Sequence, residues 1–204
     1  MNNFNFLNNE TEDKLYIITS GLSGGKDEGL VKDLSSSLIK SGSVLNIQFC
    51  NDPFYKDEKL EEVDRLTFEY CFKRLDREIE SSTKNHKRNF NEIIFVGHSF
   101  SALISIYYLY RIFKNKKDVL YKLTLLDKSS SVDILKFIKT DQKDIILSSR
   151  LIKYLENNNE VEMLKKLENN GVKIKCTESD ELGANHEFEG REIRSRIAEI
   201  IKKM

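Results

Sequence analysis

Short apolar runs of β type alternate along the chain with longer stretches in which apolar residues recur every three or four positions. Leu15-Tyr16-Ile17-Ile18-Thr19 is almost continuously apolar, as a strand covered on both faces must be. It runs into a glycine-rich turn, Gly21-Leu22-Ser23-Gly24-Gly25. Leu30, Leu34 and Leu38 then recur at spacing four and predict a helix that Gly42 stops. Val44 to Phe49 reads as a second strand. A long amphipathic helix is predicted from Glu61 to Glu80, with Val63, Leu66 and Tyr70 on one face and Phe72, Leu75 and Ile79 on the adjoining one. Glu92-Ile93-Ile94-Phe95-Val96 is the third strand, and an apolar stretch of helical spacing follows from Ala102 to Phe113.

Tyr121 to Leu126 reads as a fourth strand ending at Asp127. Residues 132–169 look helical, with apolar positions in mixed phase. Val172 to Cys176 is the fifth strand and leads into a loop, Thr177 to Asn185. The last helix, Arg191 to Lys202, turns Ile193, Ile197, Ile200 and Ile201 inward.

Strands alternating with helices over the whole length imply an α/β fold: a three-layer sandwich with a mostly parallel five-stranded sheet and helices on both faces. The chain's 204 residues suit one domain. Residues 1–13, rich in asparagine, are expected to be a flexible lead-in to a domain spanning 14–204. In a parallel sheet the ligand site lies beyond the carboxyl ends of the strands. The glycine loop, the turn at Ser99, Asp127 and the loop reaching His186 all fall there.

Bulk composition removes some function classes. The 33 basic and 33 acidic side chains cancel, so there is no basic excess of the kind that nucleic-acid binding needs. The longest apolar stretch, Ile93 to Phe113, could cross a bilayer by length alone. It contains Gly97, His98, Ser99, Ser101 and Arg111, however, and a buried strand followed by a central helix explains it better. Cys50, Cys71 and Cys176 form no close pair and no metal-ligand spacing, which reads as free thiols in a reducing compartment. The first ten residues have neither the basic nor the apolar region of a signal peptide. A cytoplasmic location is expected.

The chemistry concentrates in Gly97-His98-Ser99-Phe100-Ser101. A serine at a sharp strand-to-helix turn has its hydroxyl pushed out above the sheet, next to the backbone N–H groups that open the helix. Small residues must flank it because strand and helix pass closely; Gly97 meets that need, and Ser101 stands where a second glycine is usual. An activated serine needs a base, and the chain has three histidines. His98 adjoins the serine along the strand and leaves on the opposite side. His86 lies in a hydrophilic stretch before the third strand, at the wrong end of the sheet. His186 follows the last strand and is the expected base. The carboxylate that orients it has two candidates. Asp180 is favoured, because strand end, acid and histidine then share one loop; Asp127, at the end of the fourth strand, is the alternative. The backbone N–H groups of Phe100 and Leu22 are the expected oxyanion donors, with Gly21, Gly24 and Gly25 allowing that turn to approach closely.

These residues resemble a known family, the α/β hydrolases. Gly97-His98-Ser99-Phe100-Ser101 is similar to its nucleophile elbow, Ser20-Gly21-Leu22-Ser23-Gly24-Gly25 resembles its oxyanion loop, and Gly183-Ala184-Asn185-His186 resembles the loop bearing its histidine. The likeness spans roughly residues 15–201. With the family's first two strands and one strand–helix unit missing, the chain looks like the compact, cutinase-like members. The resemblance implies a serine esterase, lipase or thioesterase acting on a small acyl ester or thioester, without metal or organic cofactor.

Two other classes compete with this reading. One is a hydrolase fold that has lost catalysis and serves as a binding module. The other is a phosphate-binding loop at Ser20 to Asp27: Gly25 and Lys26 fit G-x-x-x-x-G-K-[ST], but Ser20 replaces the first glycine and Asp27 the metal-binding hydroxyl. Residues 128–170 are read as a helical region over the site. There Ile134, Leu135, Phe137 and Ile138 either line an acyl pocket or pack on the sheet.

Overall fold

The computed structural model describes residues 4–21, 25–49, 67–113, 118–140 and 149–204. Six strands form one sheet: β1 (Phe4–Leu7), β2 (Lys14–Thr19), β3 (Ser43–Ile47), β4 (Glu92–His98), β5 (Leu120–Leu126) and β6 (Lys173–Thr177), in the order β1-β3-β2-β4-β5-β6. Every pairing is parallel except that of β1 with β3. Seven α-helices lie among the described residues: α1 (Gly29–Leu38), α2 (Phe68–Asn85), α3 (Phe100–Ile112), α4 (Ser131–Thr140), α5 (Ser149–Asn157), α6 (Glu160–Asn169) and α7 (Arg191–Lys202).

The period of two along the strands divides the core into two layers. Leu15 and Ile17 of β2, Leu45 and Ile47 of β3 and Phe95 of β4 face a large cluster completed by Phe68, Phe72, Leu75, Leu103, Tyr107, Leu151, Leu155 and Leu167 from the helices. Tyr16, Ile18, Val44, Ile94 and Val96 face the other way, onto Leu30, Leu34 and Leu38 of α1 and Ile197 and Ile201 of α7. Each fully buried Leu or Ile contributes about 1.5–3 kcal/mol by leaving water, which is why the strands read as near-continuous apolar runs. α3 is buried on every face from Phe100 to Leu109, as a central helix must be.

Three expectations change. The sheet has six strands rather than five, and the sixth lies inside the segment 1–13 read as a flexible lead-in. In Phe4–Leu7, Phe4 and Phe6 pack on the large cluster while Asn5 and Leu7 are exposed, so this edge strand alternates over only four residues. The helix read at 61–80 is described only from Phe68 and runs on to Asn85; its start is set by the Thr67 hydroxyl, which accepts the Tyr70 N–H. Residues 61–66 lie outside the described residues. Within 128–170, Ile134 and Leu135 pack partly buried against the large cluster, in keeping with the sheet-packing reading; the side chains of Phe137 and Ile138 lie outside the described residues.

Candidate active site

The turn between β4 and α3 has a backbone that few side chains tolerate. Ser99 sits at φ 55°, ψ −125°, outside the regions open to most L-residues. Such a conformation costs about 1–3 kcal/mol and persists only where the surroundings enforce it. Here they do. The Ser99 N–H donates to the Leu126 carbonyl at 2.9 Å, and the Ala102 N–H closes the first turn of α3 onto the Ser99 carbonyl.

Gly97 allows this crossing. A Cβ at that position would lie 2.6 Å from the Ala102 Cα and 2.9 Å from the Ala102 nitrogen, both backbone atoms that cannot move aside. Gly97→Ala is therefore expected to lower unfolding stability by roughly 3 kcal/mol, at the upper end of the overpacking range, read as a fall in the denaturant midpoint. An unchanged midpoint would mean that strand and helix can separate cheaply.

Ser101 explains its own departure from glycine. Its hydroxyl is 1% exposed and accepts both the His98 N–H, at 3.1 Å, and the Thr19 hydroxyl, at 3.0 Å. It donates toward the carbonyls of Thr19, at 2.8 Å, and His98, at 2.9 Å. A buried hydroxyl thus ties the end of β2 to the turn, which a glycine could not do.

β4, β5 and β6 are neighbours, so the segments leaving their carboxyl ends are neighbours too. Ser99 leaves β4, Asp127 leaves β5, and the loop to His186 leaves β6. The Asp127 N–H donates to the Thr177 carbonyl at 3.0 Å, and an Asp127 carboxylate oxygen accepts the Ser179 N–H. Asp127 itself sits at φ 43°, a conformation aspartate tolerates better than most residues. His186 then bridges the two sides: its Nδ1 is 2.9 Å from Asp127 Oδ2 and its Nε2 is 3.0 Å from Ser99 Oγ. A carboxylate only accepts, so Nδ1 carries the proton and donates to Asp127, leaving Nε2 to accept the serine hydroxyl.

The carboxylate beside His186 is thus that of Asp127, and the preference for Asp180 is corrected. Asp180 opens a 3-10 turn, Asp180–Leu182, and is exposed; its side chain accepts the Glu181 N–H and its carbonyl accepts the Gly183 N–H. Sharing a loop with His186 does not help, because the turn spends the aspartate on local hydrogen bonds. The strand pairing that brings Asp127 under the loop is a long-range fact.

Burial alone would raise the Asp127 pKa, but the Ser179 hydroxyl and N–H and the His186 ring outweigh it and hold the carboxyl below its ordinary value. Glu178 moves the opposite way, pushed up by burial and by the negative charge of Asp127. The site therefore keeps its negative charge on the carboxylate that touches the histidine.

Phe100 is the first residue of α3, and its N–H belongs to the helix's first turn, where no intrahelical partner exists and the helix dipole favours negative charge. Leu22 lies outside the described residues. Its neighbour Gly21 passes close to the turn: a Cβ there would be 3.4 Å from His98 Nδ1 and 3.6 Å from Ser99 Cβ. His86 caps the far end of α2, and its ring packs at a tilt against Phe6. In the loop that invites a phosphate reading, Lys26 is paired with Asp27, and the Glu28 carboxylate lies against Gly25. Among the described residues no group of three His, Cys, Asp or Glu side chains could hold a metal ion, and no helix is long and apolar enough to cross a membrane. Sequence reasoning passed over Ser179, whose backbone bond to Asp127 leaves no mark in residue type.

Neither a protein-family model nor a curated protein matches the sequence. Solved structures do match. Est1E from Butyrivibrio proteoclasticus superposes with a TM-score of 0.60 at 13% identity, over 93% of this chain and 86% of that one. Alpha/beta hydrolase domain-containing protein 10 from mouse gives 0.60 at 8% identity, over 98% and 92% of the two chains. The esterase of Pyrobaculum calidifontis gives 0.51 at 12% identity, over 94% and 76%. At such identities the likeness speaks for the fold, and the parallel sheet, the strained serine turn and these superpositions agree on which fold it is: the chain has that of the α/β-hydrolase superfamily.

Proposed function

We propose that this protein is a serine hydrolase that cleaves a small carboxylic ester or thioester through an acyl-enzyme. The observation that carries the reading is the continuous hydrogen-bonded line from Ser99 Oγ through His186 to Asp127 at 3.0 and 2.9 Å. Hydrogen bonds from nucleophile to base and from base to carboxylate are what covalent acyl transfer requires.

In the proposed cycle Ser99 Oγ attacks the acyl carbon while its proton passes to His186 Nε2. The carbonyl electrons move onto oxygen, which the Phe100 N–H and a second donor from the Leu22 turn receive. The imidazolium is held by Asp127, which stays ionised. Collapse of the tetrahedral species breaks the bond to the alkoxide or thiolate, and that leaving group takes the proton back from Nε2. A water molecule then repeats the sequence on the acyl-serine: His186 removes its proton, the acid is released, and Ser99 regains its hydrogen. Every proton has a carrier among these side chains, and the steps call on no redox change.

A fluorophosphonate probe tests this directly. The wild-type protein is expected to label stoichiometrically at Ser99 and to lose nitrophenyl-ester turnover in parallel, while Ser99→Ala stays unlabelled. Absence of labelling in a folded wild type would leave the binding-module reading instead. A panel of acyl esters and acyl thioesters of increasing chain length then decides which of the two is cleaved.

A further inference from the structure

A second imidazole stands beside the first, and the cycle above does not use it. His98 is 8% exposed, and its Nε2 lies 2.8 Å from the backbone carbonyl oxygen of His186. The two rings lie 4.9 Å apart between centroids, tilted by 37°, and the ring of Phe188, itself fully buried, packs edge-on against His98 at 5.9 Å. The carbonyl can only accept, so Nε2 of His98 carries the proton and Nδ1 turns toward Gly21, where even a methyl group would reach 3.4 Å.

We propose that His98 is the positioning residue of the base: its Nε2–H clamps the His186 carbonyl, and its ring backs the His186 ring, so that the imidazole stays at reacting distance from Ser99. The inference rests on the serine-hydrolase reading. The loop needs such a clamp. The His186 side chain is about half exposed, with 51% of its surface open, and it sits in a turn closed by the Phe188 N–H on the Asn185 carbonyl, after the Ala184 N–H has bonded the Ser179 carbonyl. Those bonds close the loop on itself, whereas the His98 bond joins the backbone of the base to the strand that leads to the nucleophile. Displacing a catalytic group by about 1 Å typically costs on the order of a hundredfold in rate.

The clamp must also be uncharged. The charged or titratable groups facing His98 are the His186 ring, Glu187 and Asp127. Burial pushes the His98 pKa down and His186 opposes its protonation, against the weaker pull of the carbonyl bond and the two carboxylates. A cation there would repel the imidazolium that forms on His186 during turnover.

Two substitutions separate the clamp from mere packing. His98→Phe keeps a ring of similar size without a donor; kcat on a nitrophenyl ester is expected to fall about 30- to 100-fold, with KM changed less than threefold and fluorophosphonate labelling slowed in proportion. His98→Gln, whose side-chain amide reaches the Nε2 position, is expected to recover at least a third of wild-type kcat. Wild-type kcat in His98→Phe, or no gain in His98→Gln over it, overturns the clamp while leaving the hydrolase reading intact. Wild-type turnover in Ser99→Ala sinks that reading whatever His98 does. A measurement on the unsubstituted protein covers the case of variants that do not fold: nitrogen NMR of labelled histidine is expected to find His98 neutral with its proton on Nε2 at pH 7, and a proton on Nδ1 would refute the clamp.

Discussion

Ser99→Ala and His186→Ala are each expected to lower kcat for ester hydrolysis by about five to six orders of magnitude, and the double variant to lose no more than either alone. In the proposed cycle nucleophile and base act as one unit, so removing one already removes the function of the other. Circular dichroism and denaturant midpoints should stay near wild type, because the His186 side chain is about half exposed and the backbone bonds of Ser99 do not involve its hydroxyl. A related substitution separates strain from chemistry. Ser99→Gly removes the same nucleophile and also relieves the φ 55° conformation. Relief of about 1–3 kcal/mol outweighs the roughly 0.4–1 kcal/mol that glycine's extra freedom costs through the unfolded chain. The inactive glycine variant should therefore be more stable by about 1 kcal/mol. Turnover above a thousandth of wild type in Ser99→Ala would remove the nucleophile from the scheme, and a less stable Ser99→Gly would mean that the turn is not under strain.

The contrast between what sequence discloses and what it hides follows the range of the forces involved. The strained turn is legible because its requirements are local: a β-type run, a glycine where Ala102 crosses, a serine, and a largely apolar helix. The two-layer core is legible for the same reason, since burial on both faces leaves near-continuous apolar runs in β2 and β4, while β5 keeps the pattern apart from Lys122 and Thr124. His186 could be found because only three histidines exist and the neighbours of His86 and His98 argue against either as the base, although His98 stands beside His186 in the fold. The edge strand β1 was hidden by its brevity: four residues with two phenylalanines carry too little pattern, and its evidence lies in pairing with β3, some forty positions on. The wrong carboxylate has a deeper cause. Nearness along the chain favoured Asp180, while the deciding contact is the β5–β6 pairing, which brings Asp127 to Ser179 across 52 positions.

That same contact makes Asp127→Asn the sharper of the two large effects. Asparagine is nearly the size of aspartate, so the bond from the Ser179 N–H can persist through its carbonyl oxygen. Its amide then faces His186 Nδ1 and donates, which places the ring proton on Nε2 and turns the lone pair away from Ser99. The wrong tautomer and the loss of imidazolium stabilisation together should lower kcat by about four orders of magnitude, with KM little changed. Asp180→Asn, which alters only an exposed 3-10 turn, should stay within twofold of wild type. The pair also has a pH signature. The folded pKa of Asp127 lies below its ordinary value, so its contribution to stability is fully present above the ordinary aspartate range and is lost as pH falls through the depressed folded value. Between those two values wild type should lose stability with falling pH more steeply than Asp127→Asn, which has no such proton to bind. Above them the gap between the two proteins should be constant. If Asp180→Asn instead carried the kinetic loss, the carboxylate that touches His186 would be a bystander, and the loop would have to rearrange before the chemistry begins.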